Sequence, residues 1–423
     1  MNVPKQRKLL NNQLMMTEKN KKLKYGIQRK IRVLRIINRF NIGGPTYNAT
    51  FLTAFIGDDF ETKLIGGLPD VGESDSLYIL DKYAVKPTLI KEMVRLPNLK
   101  SDLEAYKRLK QIIKEYKPDI VHTHASKAGA LGRKAAKSCK VPIIIHTFHG
   151  HVFHSYFGKL KTAIFKKIER SLARKSDAII AISDIQKNEL TDIHGICSAE
   201  KVTVVPLGFD LLQFHDKRES ERHRIREEYG IADDEVAIAI IGRLAPVKNH
   251  AYFLEVVDAV LQKTTSKIKC FIVGDGPERE FIEERVHQIN EKHNNSIKLT
   301  SWVSDVASFN AGMDIICLTS KNEGTPVSLI EAQASGIPVI TTDVGGIKDI
   351  VLDGNTGFII PKNSKEEFIS RLLELANDEK KRQIMSQNGW TYVQEKFHYN
   401  TLVKNMDALY WGLIEKKRNE IKE

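Results

Sequence analysis

No apolar run in the 423-residue chain approaches the roughly 18 residues a membrane-spanning helix needs. Cysteine is scarce: Cys139, Cys197, Cys270 and Cys317 are scattered, with no CxxC pair. That argues against a disulfide framework or a thiolate metal site and for buried, reduced thiols. The sequence also lacks D-x-D and HExxH, so the expectation is that no metal is bound. Acids are nearly missing from the start, where Lys5, Arg7, Lys8, Lys19, Lys21, Lys22, Lys24, Arg29 and Lys30 face only Glu18. This opening has neither an apolar core nor a small-residue cleavage site. It does not read as a secretory signal, and the cytosol is the expected compartment. The net charge of +12 invites a nucleic-acid partner, but no RNA- or DNA-binding motif accompanies it. An anionic membrane surface or an anionic substrate accounts for the excess equally well.

What is present is a soluble composition, 42% hydrophobic and 28% charged, in a chain long enough for two domains. Apolar strands alternate with helices twice over. RVLRIIN, a turn at Gly43 and Gly44 and a helix from Thr46 to Ile56 open the first series; KPDIVHTH, VPIIIHTFHGH, SDAIIAIS and KVTVVPLGFD continue it. EVAIAIIGRL, KIKCFIVGDGP, SIKLTSW, DIICLTS and PVITTDV form the second. Continuous apolar strands predict parallel sheets covered on both faces. The expected division is a basic extension (1–29), a first Rossmann-like domain (30–210), a charged link (211–233), a second Rossmann-like domain (234–390) and a closing helix (391–423) that crosses back to the first. Two such domains predict a cleft between them, with ligands at the carboxyl ends of strands.

The stretch EGTPVSLIEAQASGIPV, Glu323 to Val339, reads as a loop feeding a helix: Thr325 to cap it, Pro326 in its first turn, Gly336 and Pro338 to end it. Glu323 falls ahead of the helix and Glu331 about one and a half turns inside. An anion would meet free amides there. Carboxylates repel bare phosphate, so their expected partners are hydroxyls, which together suit a nucleotide carrying a sugar. GRLAPVKN supplies Arg243 and Lys248, a fork and a point charge that suit two phosphates and would offset charge on a departing diphosphate without a metal; ordinary surface cations are the plainer alternative. GDGPERE resembles a truncated dinucleotide fingerprint, with a simple turn that brings backbone close to a ligand the plainer reading. Among His122, His124, His146, His149, His151 and His154, His149 beside Gly150 is read as a hydrogen-bonding group at a strand end, the others packing or lining an acceptor cleft. After Gly158 comes an amphipathic helix: Leu160, Ile164, Phe165, Ile168 and Leu172 share one arc, and Lys159, Lys166, Lys167, Arg170 and Arg174 the other. It fits either a solvated face over the sheet or docking on an anionic bilayer.

These residues resemble glycosyltransferase family 4, retaining enzymes of GT-B architecture with two facing Rossmann-like domains. The likeness spans Ile31 to about Lys396. Glu323 and Glu331, eight apart and followed by Gly336–Pro338, carry it, with Arg243, Lys248, Gly43 and Gly44 in support. NIGGP, HASKAG and HTFHGHVFHSYF resemble the bacterial subgroup that builds cell-surface polysaccharides such as capsule and lipopolysaccharide. The resemblance implies a metal- and cofactor-independent transferase moving a sugar from a UDP-linked donor to a lipid-linked or saccharide acceptor at the inner membrane face. An epimerase or hydrolase of nucleotide sugars on the same fold is the alternative. It further implies Glu331 on the ribose and Glu323 on the donor sugar. Arg243, Lys248 and the Gly43–Gly44 turn would hold the diphosphate, with His149 near the reacting carbon. Gly324 and Thr325 would contribute amides and Val303 would lie by the base. Ser126, Lys127 and His151 fall to the acceptor side. Many members have an aromatic residue and a second glycine where this chain has Thr325 and Pro326, and Pro326 has no N–H to offer.

Overall fold

The computed structural model describes residues 29–41, 43–69, 76–94, 98–150 and 159–422; the basic tail before Arg29 and the acceptor candidate His151 lie outside them. The described chain divides into two compact units, one formed by residues up to Phe209 together with those from Tyr399 onward, the other by Asp210–His398.

The first unit is a seven-stranded sheet in the order β3-β2-β1-β4-β5-β6-β7. Its strands are β1 (Ile31–Arg39), β2 (Phe60–Gly67), β3 (Thr88–Leu89), β4 (Ile120–His124), β5 (Ile143–Thr147), β6 (Ala178–Ala181) and β7 (Val202–Val204). The second is a six-stranded sheet in the order β10-β9-β8-β11-β12-β13, built from β8 (Glu235–Ile241), β9 (Lys267–Val273), β10 (Ile297–Thr300), β11 (Ile315–Leu318), β12 (Val339–Thr342) and β13 (Gly357–Ile360). Every strand pairing is parallel. The central strands, such as IVHTH of β4 and IICL of β11, are buried along their whole length, as a sheet covered by helices on both faces requires. In the second sheet the chain leaves the centre at β8, goes one way to β9 and β10, and returns beside β8 as β11. The crevice at the carboxyl ends of β8 and β11 is therefore a topological switch point.

Three stretches differ from their sequence reading. Residues 211–233, read as a link, form the helix Leu212–Tyr229, carried by the second unit. Its charges are structural. Arg222 pairs with Asp314 at 2.6 Å, and the buried Arg226 reaches Asp314 (3.2 Å) and the carbonyls of Gly312 (3.3 Å) and Glu235 (2.7 Å). The closing helix begins at Tyr399 rather than 391 and packs in the first unit's core through Leu402, Val403, Met406, Tyr410 and Trp411. The helix Lys159–Ala173 turns a different face inward from the expected one. Phe165 packs on the core, Leu172 is buried, and Glu169 is buried against Arg133 at 2.7 Å, while Ile164 and Ile168 are exposed. The Arg133–Glu169 ion pair on that inward face is invisible to a hydrophobic arc.

Candidate active site

Two loops at the switch point hold the charged candidates Arg243, Lys248 and Glu323. The first, after β8, is fixed by its own backbone: Gly242 N donates to Val273 O (2.9 Å), Leu244 N to Asp275 O (3.0 Å) and Lys248 N to Ala245 O (2.8 Å). The Gly274–Gly276 turn packs closely against this loop. A Cβ on Gly274 would fall 2.0 Å from Gly242 O, and one on Gly276 2.4 Å from Leu244 O. The second loop, after β11, is stitched to the first. Thr319 Oγ1 donates to the carbonyls of Lys248 and Asn249 (both 3.1 Å), and Lys321 N to Val247 O (2.8 Å).

That stitching sets Lys248 Nζ 2.6 Å from Glu323 Oε1, both side chains being largely buried. The same Oε1 accepts from Ser320 Oγ at 2.5 Å, so Oε2 is left to meet a hydroxyl. Ser320 was missed in the sequence, although an S-x-x-E spacing was there to be read. Arg243, on the same loop as Lys248, is exposed and bonds to no other described side chain. Lys248 is paired with Glu323, whereas the Arg243 guanidinium has no carboxylate partner among the described residues. Gly345 and Gly346, also unremarked in the sequence, back the Glu323 loop. Cβ atoms there would fall 1.8 Å from Glu323 O and 2.1 Å from Gly324 O, and Gly346 N donates to Glu323 O at 3.3 Å.

The helix that follows runs Val327–Ala334 and starts from Pro326, not Thr325, whose hydroxyl makes no cap; Pro326 is extended at ψ 101, so the helix begins one residue later than the sequence suggested. Gly324 and Thr325 stay in the loop, and Val303 follows β10 at the sheet edge. Glu331 keeps part of its surface accessible, yet the protein around it pushes its carboxyl from the ordinary 4.5 up to about 7. Raised in the folded state, it favours folding least when ionised: stability falls as pH rises from 4.5 and the full cost, on the order of 3 kcal/mol, is present above about 7. Glu331→Gln is therefore expected to stabilise the ligand-free protein above pH 7, by up to about 3 kcal/mol, and hardly at all near pH 4. Urea unfolding on either side of 7 measures this.

In the first unit, Gly43 and Gly44 open the helix Gly44–Phe55 after β1, with no side-chain cap over its first amides. His124 ends β4, and His149 follows β5 on the neighbouring strand, their ring nitrogens 2.9 Å apart. Ser126 opens the helix Ser126–Ser138. Lys127 is committed to Asp102 (2.6 Å) and the Val94 carbonyl (2.9 Å). The other described histidines of this group also make hydrogen bonds: His122 with Tyr410 and Thr147 (both 2.7 Å), His146 with Thr123 (2.8 Å).

Comparison with known proteins agrees across both units. Residues 44–212 match the family model "Glycosyltransferase Family 4" and residues 221–391 the model "Glycosyl transferases group 1". The chain is 30% identical to the UDP-Gal:alpha-D-GlcNAc-diphosphoundecaprenol alpha-1,3-galactosyltransferase of Escherichia coli, over 78% of this chain and 84% of that one. It is 28% identical to the capsular polysaccharide biosynthesis glycosyltransferase CapM of Staphylococcus aureus, over 75% and 85%. Among solved structures, Anabaena HepE in complex with UDP superposes with a TM-score of 0.75 at 19% identity, covering 90% of this chain and 99% of that one, a likeness of fold.

Proposed function

Since the chain belongs to the family 4 and group 1 glycosyltransferases, with the GT-B fold and the bacterial cell-surface polysaccharide type, we propose that it moves a sugar from a UDP-linked donor to a lipid-linked acceptor, retaining anomeric configuration and using no metal. The observation that carries this reading is the Lys248–Glu323 pair at 2.6 Å, at the switch point of the second sheet, with Arg243 on the same loop as Lys248 and bonded to no other described side chain. The name of the Escherichia coli relative, a transferase from UDP-galactose to a diphosphoundecaprenol-linked sugar, supports the donor and acceptor classes.

In this reading the Arg243 fork and the Lys248 ammonium take the diphosphate, with Gly43–Gly44 amides as further donors. Glu331 accepts from the ribose hydroxyls, Glu323 Oε2 accepts from the donor sugar, and the Gly324 and Thr325 amides lie close by. Val303 meets the base, His149 the sugar near its reacting carbon, and Ser126 and His151 the acceptor. The bond from the anomeric carbon to the phosphate oxygen breaks as the acceptor oxygen attacks from the same face, and the acceptor's proton passes to the departing diphosphate. Arg243 and Lys248 stabilise the charge that grows on that leaving group. No described helix is long and apolar enough to cross a membrane. The exposed Ile164 and Ile168 beside the exposed Lys167 suit approach to an anionic bilayer holding the acceptor.

The test is a panel of nucleotide sugars, with and without a lipid diphosphate sugar acceptor in anionic vesicles. The matching UDP-sugar is expected to raise the melting temperature by mass action and to be consumed only with acceptor present, yielding one α-linked product. Epimerisation or hydrolysis at comparable speed without acceptor would overturn the transferase reading in favour of an epimerase or hydrolase on this fold.

A further inference from the structure

A carboxylate on a loop can turn either oxygen outward, and at Glu323 two donors remove that freedom. We propose that Ser320 is a positioning residue for sugar transfer: its hydroxyl, together with Lys248, pins Oε1 of Glu323 and so reserves Oε2 for one hydroxyl of the donor sugar. The inference rests on the contact between Glu323 and the donor sugar proposed above, and adds the residue that aims it.

Oε1 lies 2.5 Å from Ser320 Oγ and 2.6 Å from Lys248 Nζ. The direction of both bonds follows from the groups themselves. An ammonium only donates, so the carboxylate it pairs with accepts, and the single hydrogen of the Ser320 hydroxyl is directed to Oε1. One carboxylate oxygen has about two lone-pair sites, and these two donors occupy them. Oε2 bonds to no other described residue and is not sealed inside the protein. A sugar hydroxyl that needs an acceptor therefore meets Oε2 and not its twin.

Ser320 is itself fixed. It sits two residues past the end of β11 with 2% of its surface exposed. Its carbonyl accepts from Thr342 Oγ1 at the end of β12 (2.7 Å), and its neighbour Thr319 ties the same turn to the carbonyls of Lys248 and Asn249 (both 3.1 Å). The two donors differ in what else is asked of them. Lys248 also serves the diphosphate in the proposed reading, so a bound donor draws part of its charge away from Oε1. The Ser320 hydroxyl is neutral and bonds to no other described residue, so it holds Oε1 whether the site is full or empty. Without it, rotation about the last Glu323 torsion, which is broad and two-fold, would let either oxygen face Lys248. The outward oxygen would then lose its fixed direction.

The test compares Ser320→Ala, Ser320→Thr, Glu323→Ala and the Ala/Ala double variant, each checked for folding by thermal melt, with the UDP-sugar that the nucleotide-sugar panel selects. Ser320→Ala is expected to lower kcat/KM for that donor about tenfold, the size of one hydrogen bond to a charged group. The Kd of UDP alone, which carries no sugar, is expected to stay unchanged. Ser320→Thr, which keeps the hydroxyl, is expected to recover most of the rate, and the double variant to be no slower than Glu323→Ala. Deoxy forms of the donor, each lacking one hydroxyl, separate aiming from mere support of the loop. The form on which Glu323→Ala costs nothing further is expected to be the form on which Ser320→Ala costs nothing further. A Ser320→Ala loss that persists with every deoxy donor, or that adds to the Glu323→Ala loss, would overturn the inference and leave the role of Glu323 standing. So would a Ser320→Ala enzyme at full speed beside a slow Glu323→Ala. A Glu323→Ala enzyme at full speed would remove that role and the inference together. If Ser320→Ala does not fold, Ser320→Cys, close in size but a weak donor, takes its place in the same comparisons.

Discussion

Arg243→Ala is expected to lower kcat for sugar transfer by about 10²–10³-fold, the usual consequence of removing one donor from a developing anion. The free protein should barely register the change. Arg243 is exposed and bonds to no other described side chain, so truncating it should alter folding stability by no more than about 0.5 kcal/mol. That separation makes the experiment decisive, because a slow but equally stable enzyme has lost chemistry and not structure. Arg243→Lys is expected to recover only part of the rate, since an ammonium cannot grip two phosphate oxygens as a planar fork does. Combining Arg243→Ala with Glu323→Ala should abolish transfer, though the second change also frees the Lys248 ammonium from its 2.6 Å partner and leaves it less positioned. Full activity in the double variant, with an intact melting transition, would reject the donor site.

The second large effect comes from residues that touch no substrate in the proposed reading. Gly345 adopts φ +52, and a methyl group there would lie 1.8 Å from the carbonyl oxygen of Glu323; at Gly346 it would lie 2.1 Å from that of Gly324. These obstacles are backbone atoms, so no side-chain rotation relieves them. Gly346→Ala isolates the collision, because Gly346 already has a φ of −79. Gly345→Ala adds the cost of a left-handed alanine, about 1–2 kcal/mol. Since Gly324 is exposed, the cheapest relief is outward movement of the Glu323–Gly324 loop. Displacement of that loop by about 1 Å is expected to cost about 10²-fold in kcat, with a folded protein and a lowered melting temperature. Steady-state kinetics and a thermal melt on both variants measure it. A Gly346→Ala enzyme at wild-type speed would show that this pair of glycines does not set the loop.

Both predictions concern residues that differ in how readily the sequence disclosed them. The placement of Arg243, Lys248 and Glu323 after strands was legible because polar residues stand out against regular apolar strands, and strand ends are where parallel sheets put ligands. The alternation of strand and helix was legible for a similar reason, since buried parallel strands must be apolar throughout. Gly345 and Gly346 gave no such sign: their requirement arises from a loop some twenty residues earlier in the chain, a contact no local pattern records. The helix Leu212–Tyr229 was read as a link because charge normally marks solvent, whereas Arg222 and Arg226 place their guanidiniums on Asp314 and on main-chain carbonyls. The partners of Lys127, Asp102 and the Val94 carbonyl, were likewise not visible in the sequence. The same limit applies to His124, whose closeness to His149 no spacing discloses.

The closing helix carries a consequence for biosynthesis. Tyr399 stacks on Phe51 and Phe55, with centroids 5.1 and 4.6 Å away, and Tyr410 bonds to His122, so the aromatic interior of the amino-terminal sheet is finished by amino acids joined only after the whole of Asp210–His398. A ribosome delivers polypeptide from one end only. The half that emerges first therefore has to wait, incomplete, while the half between Asp210 and His398 already holds every strand it needs.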